Sequence, residues 1–157
     1  MLEPPAFVSI EEHRSRLGDV GYWWPYVAEV LGRHGLGDAG DEPVAGYNPT
    51  YPTFLVGDVV VKLFGNVPSW RQSHDAERAA YELLATDPEI LAPHLLGRGR
   101  LSDDPDASWP YLVVTRIPGV ALEDAELSAD QRRSVASELG RLVRRVHELP
   151  PSASSRP

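Results

Sequence analysis

The sequence predicts an α+β fold: an antiparallel sheet with one helix packed against it, and further helices on either side in the chain. Three observations carry this. Residues 53–64 read as a hairpin, with two apolar runs around Gly57-Asp58 (TFLV-GD-VVVKLF). Residues 95–117 hold two more strand-like runs around a polar Asp/Ser/Pro loop. Residues 69–85 and 128–149 repeat apolar side chains at helical spacing. Strands joined by short turns pair antiparallel, and a helix between two hairpins has their sheet to pack on.

Each element follows from local chemistry. Residues 1–20 contain one short helix-like stretch, Ile10–Leu17. Tyr22–His34 reads as a helix in which Pro25 suits the first turn, Trp24, Val27, Val30 and Leu31 share a face, and Gly35 ends the run. Residues 37–43 (GDAGDEP) form a loop. Thr53–Val56 and Val59–Phe64 are the strands of the first hairpin, and Gly65–Pro68 breaks the pattern. Ser69–Ala85 is a helix. Ser69 and Gln72 have capping-box spacing, and Ala76, Ala80, Leu83 and Leu84 make its stripe. Leu95–Leu101 and Tyr111–Ile117 are strands, the second stopped by Pro118-Gly119. Ser128–Leu149 is the clearest helix. Ser128 and Gln131 form a second capping box, and Val135, Leu139, Leu142, Val146 and Leu149 recur on one side. The expected organisation is an N-terminal helical extension (1–42), a sheet-bearing lobe (43–118), a hinge with a helix (119–150) and a disordered tail (151–157).

Composition narrows the function classes. The chain has 157 residues, room for one ordinary domain, with 42% apolar and 24% charged residues. A formal net charge of −8 disfavours nucleic acid as a partner, because an acidic surface repels phosphate backbones. There is no cysteine, hence no disulfide, thiol nucleophile or cysteine-bound zinc. The first residues lack a signal peptide's basic start and apolar core, and no apolar run approaches the ~20 residues that cross a bilayer. A soluble cytoplasmic protein without a membrane partner is the expectation.

Lys62 stands out. It is the only lysine beside fourteen arginines, and it lies inside VVVKLF. Alternation puts it on one strand face with Val60 and Phe64, where a charge is costly unless paired or solvated. One reading is an edge-strand lysine that discourages aggregation. The other begins with Glu77, fifteen residues on, which borders the packed face of its helix beside Ala76, Ala80 and Leu84. Glu77 alone reads equally as a solvated helix glutamate. A strand lysine, a helix glutamate and then a hairpin ending in an apolar strand is, however, the order in which kinases build their ATP cradle. The lysine supplies charge to the phosphates, and the glutamate fixes its flexible stem.

Four segments extend the likeness: PTFLVGDVVVKLFG, AERAAYELLA, WPYLVVTRIPG and ELGRLVRRVHELP. Their order and spacing over residues 22–150 resemble the aminoglycoside phosphotransferase family. The resemblance implies a protein-kinase-like N-lobe, a hinge and the first C-lobe helix. It implies ATP or GTP as the nucleotide, with Lys62 on the phosphates and Glu77 as its partner. The Thr115 carbonyl and the Ile117 amide would hold adenine. Phosphate-loop duty would fall to Gly46–Pro52 (GYNPTYP), through Asn48 and Thr50. That loop has one glycine and two prolines where kinases carry G-x-G-x-x-G, so an ordinary Pro/Asn turn is the competing reading. There is no G-x-x-x-x-G-K-[ST].

Kinase chemistry also needs an aspartate that accepts the hydroxyl proton and an asparagine and second aspartate that hold magnesium. Neither asparagine completes a D-x-x-x-x-N, no histidine starts an H-x-D, and D-F-G is absent. No catalytic or metal-binding residue is therefore assigned. His147 reads as a packed helix-end residue, and Asp103, Asp104 and Asp106 as a solvated turn. The expectation is the nucleotide-binding part of an ATP-dependent phosphotransferase acting on a small-molecule hydroxyl, ending before the catalytic loop. Magnesium and the acceptor would bind only with the missing C-lobe. The alternative is a stand-alone non-catalytic module that binds a nucleotide, or a protein partner through the last helix.

Overall fold

The computed structural model describes residues 2–37, 41–47, 49–65, 67–104, 107–122 and 124–150. In chain order these residues form α1 (Ile10–Ser15), α2 (Val20–His34), β1 (Val44–Ala45), β2 (Thr53–Val56) and β3 (Val59–Leu63). Then come α3 (Trp70–Leu84), β4 (Leu95–Arg100), β5 (Pro110–Thr115) and α4 (Ala129–Glu148). The strands make one five-stranded antiparallel sheet in the order β1-β2-β3-β5-β4. The architecture is the expected mixed α and β fold with an antiparallel sheet, but two helices rather than one pack on it, because α2 covers the face opposite α3.

The β2–β3 hairpin sets the register at its centre. Gly57 takes a positive φ of 53°, as the first central residue of a tight two-residue turn requires. Thr53 then pairs with Lys62 and Val56 with Val59. On its other side β3 pairs with β5, so that Lys62 faces Leu112 and Val59 faces Thr115. Lys62 is thus on an interior strand, and the edge-strand reading of this lysine is overturned.

Alternation divides the strand side chains between two layers. Phe54, Val56, Val59, Val61, Leu63, Tyr111 and Val113 pack with Trp23, Val27, Val30 and Leu31 of α2. Phe64 and Leu112 lie on the opposite side with Tyr51, against which Trp70 and Tyr81 of α3 pack. The sheet is sandwiched between α2 and α3, and Lys62 belongs to the α3 side.

Trp109 ties the N-terminal segment to the first layer. Its indole Nε1–H donates to the Pro5 carbonyl at 2.8 Å, and its backbone is held at φ 42°, uncommon for a residue other than glycine. A Cβ on Gly65 would come within 2.6 Å of this indole, so only glycine fits beneath it. His13 of α1 lies beside Trp109 and Phe7, fully buried, and neither ring nitrogen has a hydrogen-bond partner among the described residues.

Several local expectations are corrected. Helix α2 starts at Val20, capped by Asp19, whose carboxylate accepts from the Tyr22 amide at 3.0 Å. Pro25 is therefore inside the helix rather than in its first turn. Trp23, not Trp24, heads the buried face, since the two point about 100° apart on the helix. Ser69 precedes α3 but makes no side-chain cap bond, because its φ and ψ of −89° and 8° are not the extended geometry of a capping serine. The capping box of α4 is formed, with both Ser128–Gln131 bonds present. Strand β5 ends at Thr115, two residues before Ile117. Asp106 and the tail from 151 onward lie outside the described residues.

Candidate functional site

The chain's single lysine meets a carboxylate. Lys62 Nζ donates to Glu77 Oε2 at 2.5 Å. Strand alternation turns Lys62 toward α3, and the position of Glu77 on the inner side of α3 supplies the partner. The two side chains are 27% and 25% exposed, too wet for a fully buried pair and too sheltered for an ordinary surface one.

Aromatic rings fix the pair further. Lys62 Nζ lies 5.3 Å from the Phe64 ring centroid and 5.8 Å from that of Tyr51, within the range of cation–π attraction. The Tyr51 hydroxyl donates to Ser73 Oγ at 3.0 Å. The Tyr81 hydroxyl donates to Glu77 Oε1 at 3.0 Å, so each carboxylate oxygen has its own donor. Burial, followed by the adjacent Glu77 charge, raises the Tyr81 phenol well above its usual value. Of the three donors on the ammonium, one goes to Glu77, and the other two have no acceptor among the described residues.

That cleft has a volume of about 610 Å3 and is walled by Lys62, Glu77 and Ser73 and by the β1–β2 connection, including Gly46 and Thr50. The structure thus brings Lys62, Glu77 and Thr50 together. Asn48 lies outside the described residues. Thr115 and Ile117 are not part of this wall. Thr115 stands opposite Val59, three residues along β3 from Lys62, or roughly 10 Å at strand spacing. There the Thr115 amide donates to the His94 carbonyl at 2.9 Å, and the His94 amide donates to Thr115 Oγ1 at 2.9 Å. Ile117 is 38% exposed, and its amide has no partner among the described residues.

Two contributors escaped the sequence reading. Tyr81 is four residues after Glu77, the spacing at which helix side chains meet, and that spacing was available as a signal. Tyr51 reaches its place through the fold of the β1–β2 connection, which no sequence period announces. Among the described residues no helix is long and apolar enough to cross a membrane.

Comparison with known families agrees with this geometry. Residues 45–157 match the family model for APH, the phosphotransferase enzyme family. The matched region opens in β1 and contains the hairpin with Lys62, helix α3 with Glu77, and helix α4. The chain belongs to the phosphotransferase enzyme family.

Proposed function

We propose that this chain is the nucleotide-binding, protein-kinase-like part of a phosphotransferase that transfers the γ-phosphoryl of ATP or GTP to a small-molecule hydroxyl. The observation that carries the reading is the 2.5 Å contact between Lys62 and Glu77 at the wall of an open cleft. The sole lysine on an interior strand, held by carboxylate and aromatic rings, is a fixed positive charge with donors to spare. Such a charge neutralises phosphate oxygens and costs no reorganisation when the nucleotide arrives.

In this reading the Lys62 ammonium holds the phosphates and Glu77 keeps it in position. The Thr50 hydroxyl donates from the β1–β2 connection, with Asn48 as its companion. The Thr115 carbonyl and the Ile117 amide receive adenine, and the roughly 10 Å between Thr115 and Lys62 suits the reach from a base to its phosphates. Magnesium would neutralise the β- and γ-phosphates when bound, but this sequence offers no D-x-x-x-x-N or D-F-G to hold it. No residue here is assigned as the base, and the chain by itself is expected to give no turnover.

Thermal melting with and without ATP tests the reading. Nucleotide at a hundredfold excess over Kd stabilises a folded protein by about 2.7 kcal/mol, and Lys62→Ala is expected to lose most of that gain. Without ligand the substitution is expected to cost about 1–2 kcal/mol, between the values for surface and buried pairs. An equal ATP response in both proteins would return Lys62 to a structural role.

A further inference from the structure

We propose that a second cleft, between α3 and the edge strand β4, binds a small polyanion carrying two or more phosphate or carboxylate groups. The chain as a whole is strongly acidic, yet this cleft of about 450 Å3 is walled by Arg71, Arg78, Arg98 and Arg100, with Trp70 and His74. Strand register explains two of them. Arg98 pairs opposite Leu112 and Arg100 opposite Pro110, on the sheet face that looks toward α3. They stand two residues apart, about 7 Å along the strand. Arg71 and Arg78 are two turns apart on α3, about 10 Å.

Positive charge in this cleft exceeds what the protein neutralises. Arg78 Nη1 donates to both Glu82 oxygens at 2.9 and 3.0 Å, and Arg98 Nη1 shares Oε1 of the same carboxylate at 3.4 Å. The Arg100 guanidinium has no partner among the described residues. Asp75, which is itself in the wall, pairs with His74 Nδ1 at 3.0 Å. Arg78 and Arg98 therefore share one carboxylate while the Arg100 guanidinium meets none among the described residues, and each presents planar donors suited to bidentate oxyanions.

The occupant is a small molecule rather than an acidic peptide strand. A peptide added to β4 would pair with its free edge, but the Arg100 carbonyl already accepts from Arg33 Nη1 of α2 at 2.6 Å. A bulge between Leu95 and Gly97 interrupts the same strand. Compact anions fit the ring of arginines without that edge. Bound there, such an anion links β4 to the outer side of α3, whose inner side presents Ser73, Glu77 and Tyr81 to the Lys62 cleft. The position of Glu77 would then respond to an anion at a separate site.

Titration with pyrophosphate and with citrate, at fixed ionic strength in chloride, tests this and separates phosphate from carboxylate ligands. Binding is read by calorimetry and by the rise in melting temperature. We expect at least one probe to bind in the wild type and in Lys62→Ala. Arg98→Gln/Arg100→Gln is expected to weaken it about tenfold or more, as loss of charged hydrogen bonds implies. The charge-matched Arg132→Gln/Arg133→Gln on α4 is expected to leave binding unchanged. All four positions are exposed, so these variants are expected to melt like the wild type without ligand. Binding lost in Lys62→Ala but kept in Arg98→Gln/Arg100→Gln would place the anion in the first cleft and overturn the proposal. So would equal weakening by both arginine pairs, failure of both probes to bind, or binding of a Glu-rich peptide where neither small anion binds.

Discussion

Helices α2 and α4 share a capped, amphipathic pattern, although α4 is the more highly charged, and they differ in what covers the apolar side. Both are amphipathic and both are capped: α2 by Asp19 and a left-handed Gly35 at φ 63°, α4 by the Ser128–Gln131 box. Yet α2 buries Trp23, Val27, Val30 and Leu31, whereas α4 has no buried residue among those described. Val135, Leu139 and Val143 of α4 are 38%, 55% and 44% exposed. Its last turns carry ion pairs to the turn before β4. Arg145 pairs with Asp87, and at 2.5 Å with Glu89, in the turn that leads into β4. Those contacts hold Asp87 below the usual carboxylate value, chiefly through the Arg145 hydrogen bond. The lesson is that an apolar stripe specifies a helix and a need for burial, but not the surface that meets the need.

The contrast is open to direct attack. The largest effect is expected from Trp23→Ala, which should cost about 3–5 kcal/mol in urea denaturation because it empties the centre of the α2 layer. Leu139→Ala, the corresponding truncation on α4, should cost under about 0.5 kcal/mol. A loss of 2 kcal/mol or more at Leu139 would mean that α4 is packed in solution and would end the comparison.

A smaller effect, on the α2 side of the sheet, is expected from pH. His13 is fully buried with both ring nitrogens unpartnered among the described residues, and burial, then the neighbouring Arg14 charge, pushes its pKa below the ordinary imidazole value. The unfolded chain therefore binds a proton that the folded chain resists as pH falls through about 6.5. Stability is expected to be full above that value and to decline below it, by at most about 1.4 kcal/mol per pH unit for this one proton. Chemical denaturation at a series of pH values should show that decline, and His13→Phe should flatten it. An unchanged slope in the variant would assign the acid sensitivity to other groups.

The smallest effects concern caps. Ser128→Ala removes a formed capping box and should lower α4 helicity by about 1 kcal/mol of local stability, seen as lost helical circular dichroism without a shift in the main melting transition. Ser69→Ala removes no cap bond and should change neither signal. Equal responses at the two serines would show that capping spacing alone, without the extended geometry, suffices.

Much of the candidate site was legible because it depends on short-range periods. The two-residue turn at Gly57-Asp58 fixed which strand residues alternate, and alternation put Lys62 on one face. Helical spacing put Glu77 at the margin of the packed side of α3. The hydroxyl of Tyr81 was readable in principle from the same spacing. The competing reading of Lys62 as an edge residue could not be dismissed from sequence, because strand order is not a local property. Only the pairing of β5 beside β3 made the strand interior.

What the sequence determined by itself, then, was the kind and order of elements and the face each side chain takes, since those follow from backbone geometry repeated every two or 3.6 residues. The tertiary structure alone decided the contacts between elements distant in sequence. It chose Trp23 over Trp24 for the core, and it set Tyr51 against Lys62 while seating Trp109 over Gly65. It also gathered the arginines of α3 and β4 around one cleft. Such contacts are selected by the shapes and charges of two surfaces at once, and neither surface exists until the chain has folded.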